Sequence, residues 1–211
     1  MSKHEWWSLA LGIPAGCITS VLVWGVIWLC LRPKCVFSTQ AVLGPEPGIV
    51  RVKICNSRQR GLVDLTISAV VWIPNRQSDA ASSPLLTMPL DSPILPALGA
   101  SKQKNPRQGF SHQILILDVT RFFSIHSSRL DLLGSRCSES QDSVLEFLRL
   151  LTSFPDANFQ IALAGTDNVS SARRVMWSPR YTATDCVTGR FAHGENLSVL
   201  SLDSVHRKSL P

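Results

Sequence analysis

Five histidines are the first candidates for acid–base or metal chemistry: His4, His112, His126, His193 and His206. A helical zinc site needs two histidines four residues apart around a glutamate, and no pair here has that spacing. His112 and Asp118 flank an apolar run, and His126 follows Phe122 and Phe123, so each reads as a surface or internally satisfied side chain. The six cysteines are Cys17, Cys30, Cys35, Cys55, Cys137 and Cys186. None forms a C-x-x-C pair and their spacings fit no zinc pattern. They read as reduced thiols of a cytosolic domain rather than a disulfide framework.

A nucleophilic thiol needs a base within hydrogen-bond reach and a third group to orient it. The nearest approach to this in the sequence, Cys186 with His193, supplies neither by spacing. Asp167 and Asp185 are two carboxylates that turn formation explains better than acid–base pairing. There is no Gly-x-Ser-x-Gly elbow, no phosphate-binding loop and no Gly-x-Gly-x-x-Gly. The sequence therefore assigns no catalytic residue, no metal ligand and no cofactor, and the chain reads as non-enzymatic. Asn168-Val169-Ser170 and Asn196-Leu197-Ser198 fit the glycosylation acceptor pattern, which a cytoplasmic domain leaves unmodified.

Charge gives a stronger signal. The 211 residues carry 21 Lys and Arg against 15 Asp and Glu, a net charge of +6. Arg32, Lys34, Arg51, Lys53, Arg58 and Arg60 follow one another with Glu46 as the only acid through Arg60. The basic tail His206-Arg207-Lys208 is too short for nucleic-acid binding, and no Arg–aromatic interleaving supports it. The partner suggested by the charge is a lipid surface.

What precedes this cluster says why. From Trp6 to Leu31 there is no charged residue. As a helix, Leu9 to Leu31 rises about 35 Å, enough for a hydrocarbon layer of roughly 30 Å. Trp6 and Trp7 mark one end and Trp24 and Trp28 lie toward the other, as interfacial indoles do. The low charged fraction (17%) and the mean hydropathy of +0.13 agree with a membrane segment. The run is too long for a signal-peptide core and ends in Arg32-Pro33-Lys34; a lipoprotein site at Ala15-Gly16-Cys17 has Pro14 as a poor neighbour. Gly12 and Gly16 form a Gly-x-x-x-Gly pair that would permit close helix packing. The larger basic flank lies after the span, so the N-terminus is expected outside and the domain inside. There each basic group gains on the order of 1 kcal/mol from an anionic leaflet.

The rest of the chain reads mainly as strands. Val50, Val52 and Ile54 alternate with Arg51, Lys53 and Cys55, and Leu65, Ile67, Ala69, Val71 and Ile73 share one face of a run from Leu62. Asn56 to Gly61 is a polar turn between them. Gln113 to Val119 is a short buried strand. Asn158 to Ala164 and Ala172 to Trp177 flank Gly165-Thr166-Asp167-Asn168 as a hairpin. Phe191 and Leu197 to Leu202 supply the last strands. One helical period is clear, in Val144, Leu145, Leu148 and Leu151. Pro74, Pro84, Pro89, Pro93, Pro96 and Pro106 mark about 75–109 as a loop or irregular edge. Short strands with turn signals and one helix imply a β-sandwich.

Leu29-Cys30-Leu31-Arg32-Pro33-Lys34, Phe37-Ser38 with Ala41-Val42, and Asn56-Ser57-Arg58 followed by Leu62-Val63-Asp64 together resemble the inward-rectifier potassium channel family. They are similar to its inner-helix exit, basic Pro-containing linker, next segment and Asn-x-Arg turn. Ser170-Ser171 through Tyr181 to Phe191 follows the same order as a later part of that domain. The resemblance implies a cytoplasmic immunoglobulin-like β-sandwich, an anionic phospholipid bound by Arg32 and Lys34 with Arg58 and Arg60 assisting, and tetrameric self-association. The chain departs from the family where conduction is done. It has one span, and its only tyrosine, Tyr181, lies between Arg180 and Thr182, so it has no Gly-Tyr-Gly filter.

The expectation is thus an N-terminal tail over 1–5, a transmembrane helix over 6–31 and a basic linker over 32–48. A mainly β, immunoglobulin-like sandwich with one short helix follows over 49–203, with a tail over 204–211. The expected role is a single-pass, lipid-responsive binding or regulatory module. The alternatives are an accessory or degenerate subunit of a potassium-channel-like assembly and a tethered enzyme with an unrecognised site.

Overall fold

The computed structural model describes residues 14–27, 33–74, 85–101, 110–132 and 142–200. Residues 14–27 form a helix, α1, whose side chains are all exposed. Among the described residues no helix is long and apolar enough to cross a membrane. The expected span therefore has only its middle described; Gly12, Arg32 and both aromatic ends other than Trp24 lie outside the described residues, while Gly16 has open space around it.

From residue 33 the chain is mainly β. The first sheet contains β1 (Cys35–Phe37), β2 (Ala41–Leu43), β3 (Ile49–Asn56), β7 (His112–Asp118) and β10 (Cys186–Thr188). β3 pairs with β7 on one side and with β1 and β2 in tandem on the other; β10 joins β2 in parallel. The second sheet contains β4 (Leu62–Trp72), β5 (Leu85–Met88), β6 (Ile94–Leu98), β8 (Asn158–Asp167) and β9 (Arg173–Trp177). β4 is its long member, paired with β8 on one side and with β5 and β6 in tandem on the other. β11 (Arg190–Phe191) and β12 (Val199–Leu200) form a small hairpin.

The two sheets share one core. Val50, Val52 and Ile54 of β3 and Leu115 and Leu117 of β7 meet Leu65, Ile67, Ala69 and Val71 of β4 and Ile161 and Leu163 of β8 in the same buried cluster. Period-two alternation sends these residues to one face. The opposite face of β3 departs from the polar, exposed row that the sequence suggests. Lys53 is 1% exposed and Cys55 is buried, because the segment 189–200 lies over them.

Three further differences have physical causes. The Pro-rich stretch about 75–109 contains β5 and β6, with Pro96 inside β6; both are outer strands, where a missing N–H costs no ladder bond. The hairpin turn lies after Asp167 rather than at Gly165, because Asp167 Oδ1 accepts from Val169 N, Ser170 N and Ser170 Oγ. Among the described residues the domain also has two helices, α2 (Val119–Leu132) and α3 (Ser143–Ser153), where the sequence suggests one. Residues Val119, Phe122, His126 and Leu130 bury one stripe of α2, and the histidine in that stripe hides its helical period. The imidazole belongs there because its Nε2 meets Thr87 O at 2.8 Å. α3 buries Phe147, Leu150 and Leu151 and is capped by Asp142, while Leu145 faces outward.

Both helices cover one end of the sandwich. A column of rings joins them to it: Phe122 to Phe147 at 5.8 Å, Phe147 to Phe159 at 5.8 Å, and Phe159 to Tyr181 at 4.9 Å. Tyr181 Oη then donates to Ser38 O at 2.6 Å, tying the column to the first sheet. Loops and turns form the other end.

Candidate functional site

That other end gathers the basic residues. β3 ends at Asn56, and the turn 57–61 crosses to Leu62 in the second sheet. Asn56 is fully buried and organises the crossing. Its Oδ1 accepts from Arg58 N at 3.0 Å, and its Nδ2 donates to Arg60 O at 2.6 Å and to Gly99 O at 2.9 Å. An Asx side chain bonding the backbone two residues on is a turn-forming device. Lys34 O accepts both the N–H and the hydroxyl of Ser57, so the start of the domain is fastened to the same turn. Ser101 N donates to Arg58 O, and Asn168 N donates to Gly61 O.

Three of the four residues singled out for lipid, Lys34, Arg58 and Arg60, thus come to one end of the fold; Arg32 lies outside the described residues. Lys34 is exposed, while Arg58 and Arg60 are half-buried. Arg58 Nε and Arg60 Nη1 are buried atoms with no hydrogen-bond partner among the described residues. Burial pushes the Asp167 carboxyl upward, but the Ser170 and Val169 donors together with the Arg60 charge outweigh it and hold the group below the ordinary carboxylate value. Sequence reasoning missed Arg173 and Arg174, which the β8–β9 register brings to this end opposite Thr166 and Gly165. The adjacent pair of arginines after a turn was the available signal.

A second polar cluster lies on the outer face of β3. Lys53 Nζ donates to Ala192 O at 2.6 Å and to Asn196 O at 2.8 Å. Glu195, between them, accepts from Ser101 Oγ at 3.0 Å and Ser111 Oγ at 2.6 Å. Cys55 and His112 pair across β3 and β7 beside it. Burial raises the Cys55 thiol, Glu195 adds to this, and Lys53 opposes it. Burial and then Lys53 lower His112, with Glu195 opposing. Burial lowers Lys53, with Cys55 opposing. The thiol is held protonated and the imidazole neutral, the reverse of an activated thiolate–imidazolium pair. The cluster fastens the segment 189–200 to the sheet.

The other sequence candidates resolve similarly. Burial and then Asp185 push the Cys186 thiol up to about 12, and its Sγ points to Thr182 O at 3.5 Å. Asp185 accepts from Thr182 N and Oγ1 within a 3-10 turn, Ala183–Asp185. Asp167 and Asp185 each hold their own turn. Among the described residues, no three His, Cys, Asp or Glu side chains are arranged to hold a metal ion. A polar cleft of about 470 Å³ opens at the helix-covered end, lined by Gly48, Leu90, Asp91, Asp118, Thr120 and Arg121. No family model matches the chain, and no curated protein sequence matches it.

Proposed function

We propose that this chain is a single-pass, membrane-anchored, non-enzymatic binding or regulatory module. Its immunoglobulin-like β-sandwich resembles the cytoplasmic domain of inward-rectifier channels. Its basic end meets anionic phospholipid at the inner leaflet. The observation that carries the reading is the convergence of Lys34, Arg58 and Arg60 where the chain enters the domain, with two buried guanidinium N–H groups that have no acceptor among the described residues. A phosphate suits two such donors, because its several oxygens accept charge-assisted hydrogen bonds from more than one guanidinium. The apolar run from Trp6 to Leu31 would fix that end within reach of headgroups.

The test is lipid retention by the full chain, read by native mass spectrometry after purification with mixed zwitterionic and phosphoinositide lipids. Phosphoinositide is expected to stay bound, and the paired substitution Arg58→Gln and Arg60→Gln is expected to release it. Arg129→Gln with Arg149→Gln, on the helices, is expected to leave it bound. Equal retention by all three proteins would defeat the proposal.

A further inference from the structure

Among the described residues the strand β9 is paired along one edge, by β8, and open along the other. Asp167 N donates to Ala172 O and Ser178 N donates to Ile161 O, at the two ends of that ladder. Antiparallel hydrogen-bonded pairs alternate, so the residues bonding β8 are Ala172, Arg174, Met176 and Ser178. The main-chain groups of Arg173, Val175 and Trp177 therefore point away from the sheet. Their side chains share the outer face, opposite the buried Met176. Val175 is 51% exposed and Trp177 is 58% exposed.

Natural edges are blunted by proline, lysine, bulges or shortness. β9 runs five residues without a proline, and the β8–β9 register has no bulge. What it carries instead is arginine: Arg173 and Arg174 at one end and Arg180 just past the other, none of them ion-paired among the described residues. These charges oppose pairing with a neutral or basic strand and favour an acidic one. We propose that the open edge of β9 captures an extended acidic–apolar segment of a partner protein by strand addition. Main-chain bonds to Arg173, Val175 and Trp177 would supply affinity. Alternate side chains, an acid near each arginine end and apolar residues beside Val175 and Trp177, would supply specificity.

The probe is a fluorescein-labelled peptide, Glu-Thr-Val-Thr-Phe-Thr-Glu, whose alternate residues present acid, valine, phenylalanine and acid. Its control carries lysine at both ends. Full chain in zwitterionic nanodiscs is titrated and anisotropy recorded. Saturable binding of the acidic peptide and none of the lysine peptide is expected. Val175→Pro removes one outward N–H without touching the β8 ladder and should weaken binding about tenfold or more. Val175→Thr should retain binding. Arg173→Glu, at an exposed position, should also weaken binding and reduce its salt dependence. Equal binding of both peptides, or wild-type binding by both Val175→Pro and Arg173→Glu, would overturn the proposal. So would slow amide exchange at 173, 175 and 177 before any peptide is added, since a second copy or the membrane would then already occupy the edge.

Discussion

Asn56 is the side chain through which the sequence builds the basic turn, and replacing it tests that construction. Its amide makes three hydrogen bonds from a fully buried position. Asn56→Ala loses all three. At about 1 kcal/mol net each, that is about 3 kcal/mol, and the Gly99 carbonyl left buried without its donor keeps the cost from falling much below this. Asn56→Asp is the sharper probe. The carboxylate still accepts from Arg58 N, but it places negative charge where Nδ2 faced Arg60 O and Gly99 O. It must either ionise against two carbonyl oxygens or take up a proton, so it should cost about 1–2 kcal/mol more than alanine at pH 7. Urea unfolding of the full chain in micelles, followed by tryptophan fluorescence, measures both. An Asn56→Asp protein more stable than Asn56→Ala, or a cost under about 1 kcal/mol for both, would mean that Asn56 does not hold the turn.

Phe147→Ala removes the middle ring of the Phe122–Phe147–Phe159 column and should cost about 3–5 kcal/mol in the same assay, the range for emptying a buried aromatic site. Lys53→Met deletes a buried ammonium but keeps the stem, so global stability should change little while amides over 189–200 exchange faster; uniform acceleration across both sheets would contradict this. Acid should act in two windows. His112 is lowered in the folded state, so between its folded value and the ordinary value near 6.5 the unfolded chain binds more protons. Stability should therefore begin to fall below about pH 6.5, and His112→Gln should flatten this first decline. Asp167 is also lowered, so its contribution is present above the ordinary carboxylate value and lost as pH falls through its folded value. Asp167→Asn should remove only this second loss.

The strands of the core were legible because period-two alternation is a property of neighbouring residues. Ile49–Asn56 and Leu62–Trp72 were read nearly to their ends. What escaped depended on contacts between distant segments. Lys53 reads as solvent-facing in its strand, and only the carbonyls of Ala192 and Asn196, about 140 residues on, make it a buried anchor. The stripe of α2 was obscured by His126, whose polarity is satisfied by Thr87 O, again far in sequence. β5 and β6 carry the turn-like composition that outer strands tolerate, so composition could not separate them from a loop. The candidate site was read in part. Arg58 and Arg60 follow a recognisable Asn-x-Arg turn, but the arrival of Arg173 and Arg174 beside them is a consequence of the β8–β9 register.

The proposed function places the turn 57–61 against an anionic leaflet. Amide exchange of the full chain, compared in zwitterionic nanodiscs and in nanodiscs containing phosphoinositide, tests it directly. Slower exchange over residues 57–61 is expected only with the anionic lipid. That protection should be lost in the Arg58→Gln, Arg60→Gln protein, and 119–132 should be unaffected in every case. Identical exchange over 57–61 in the two lipids, or protection that survives removal of both arginines, would contradict it.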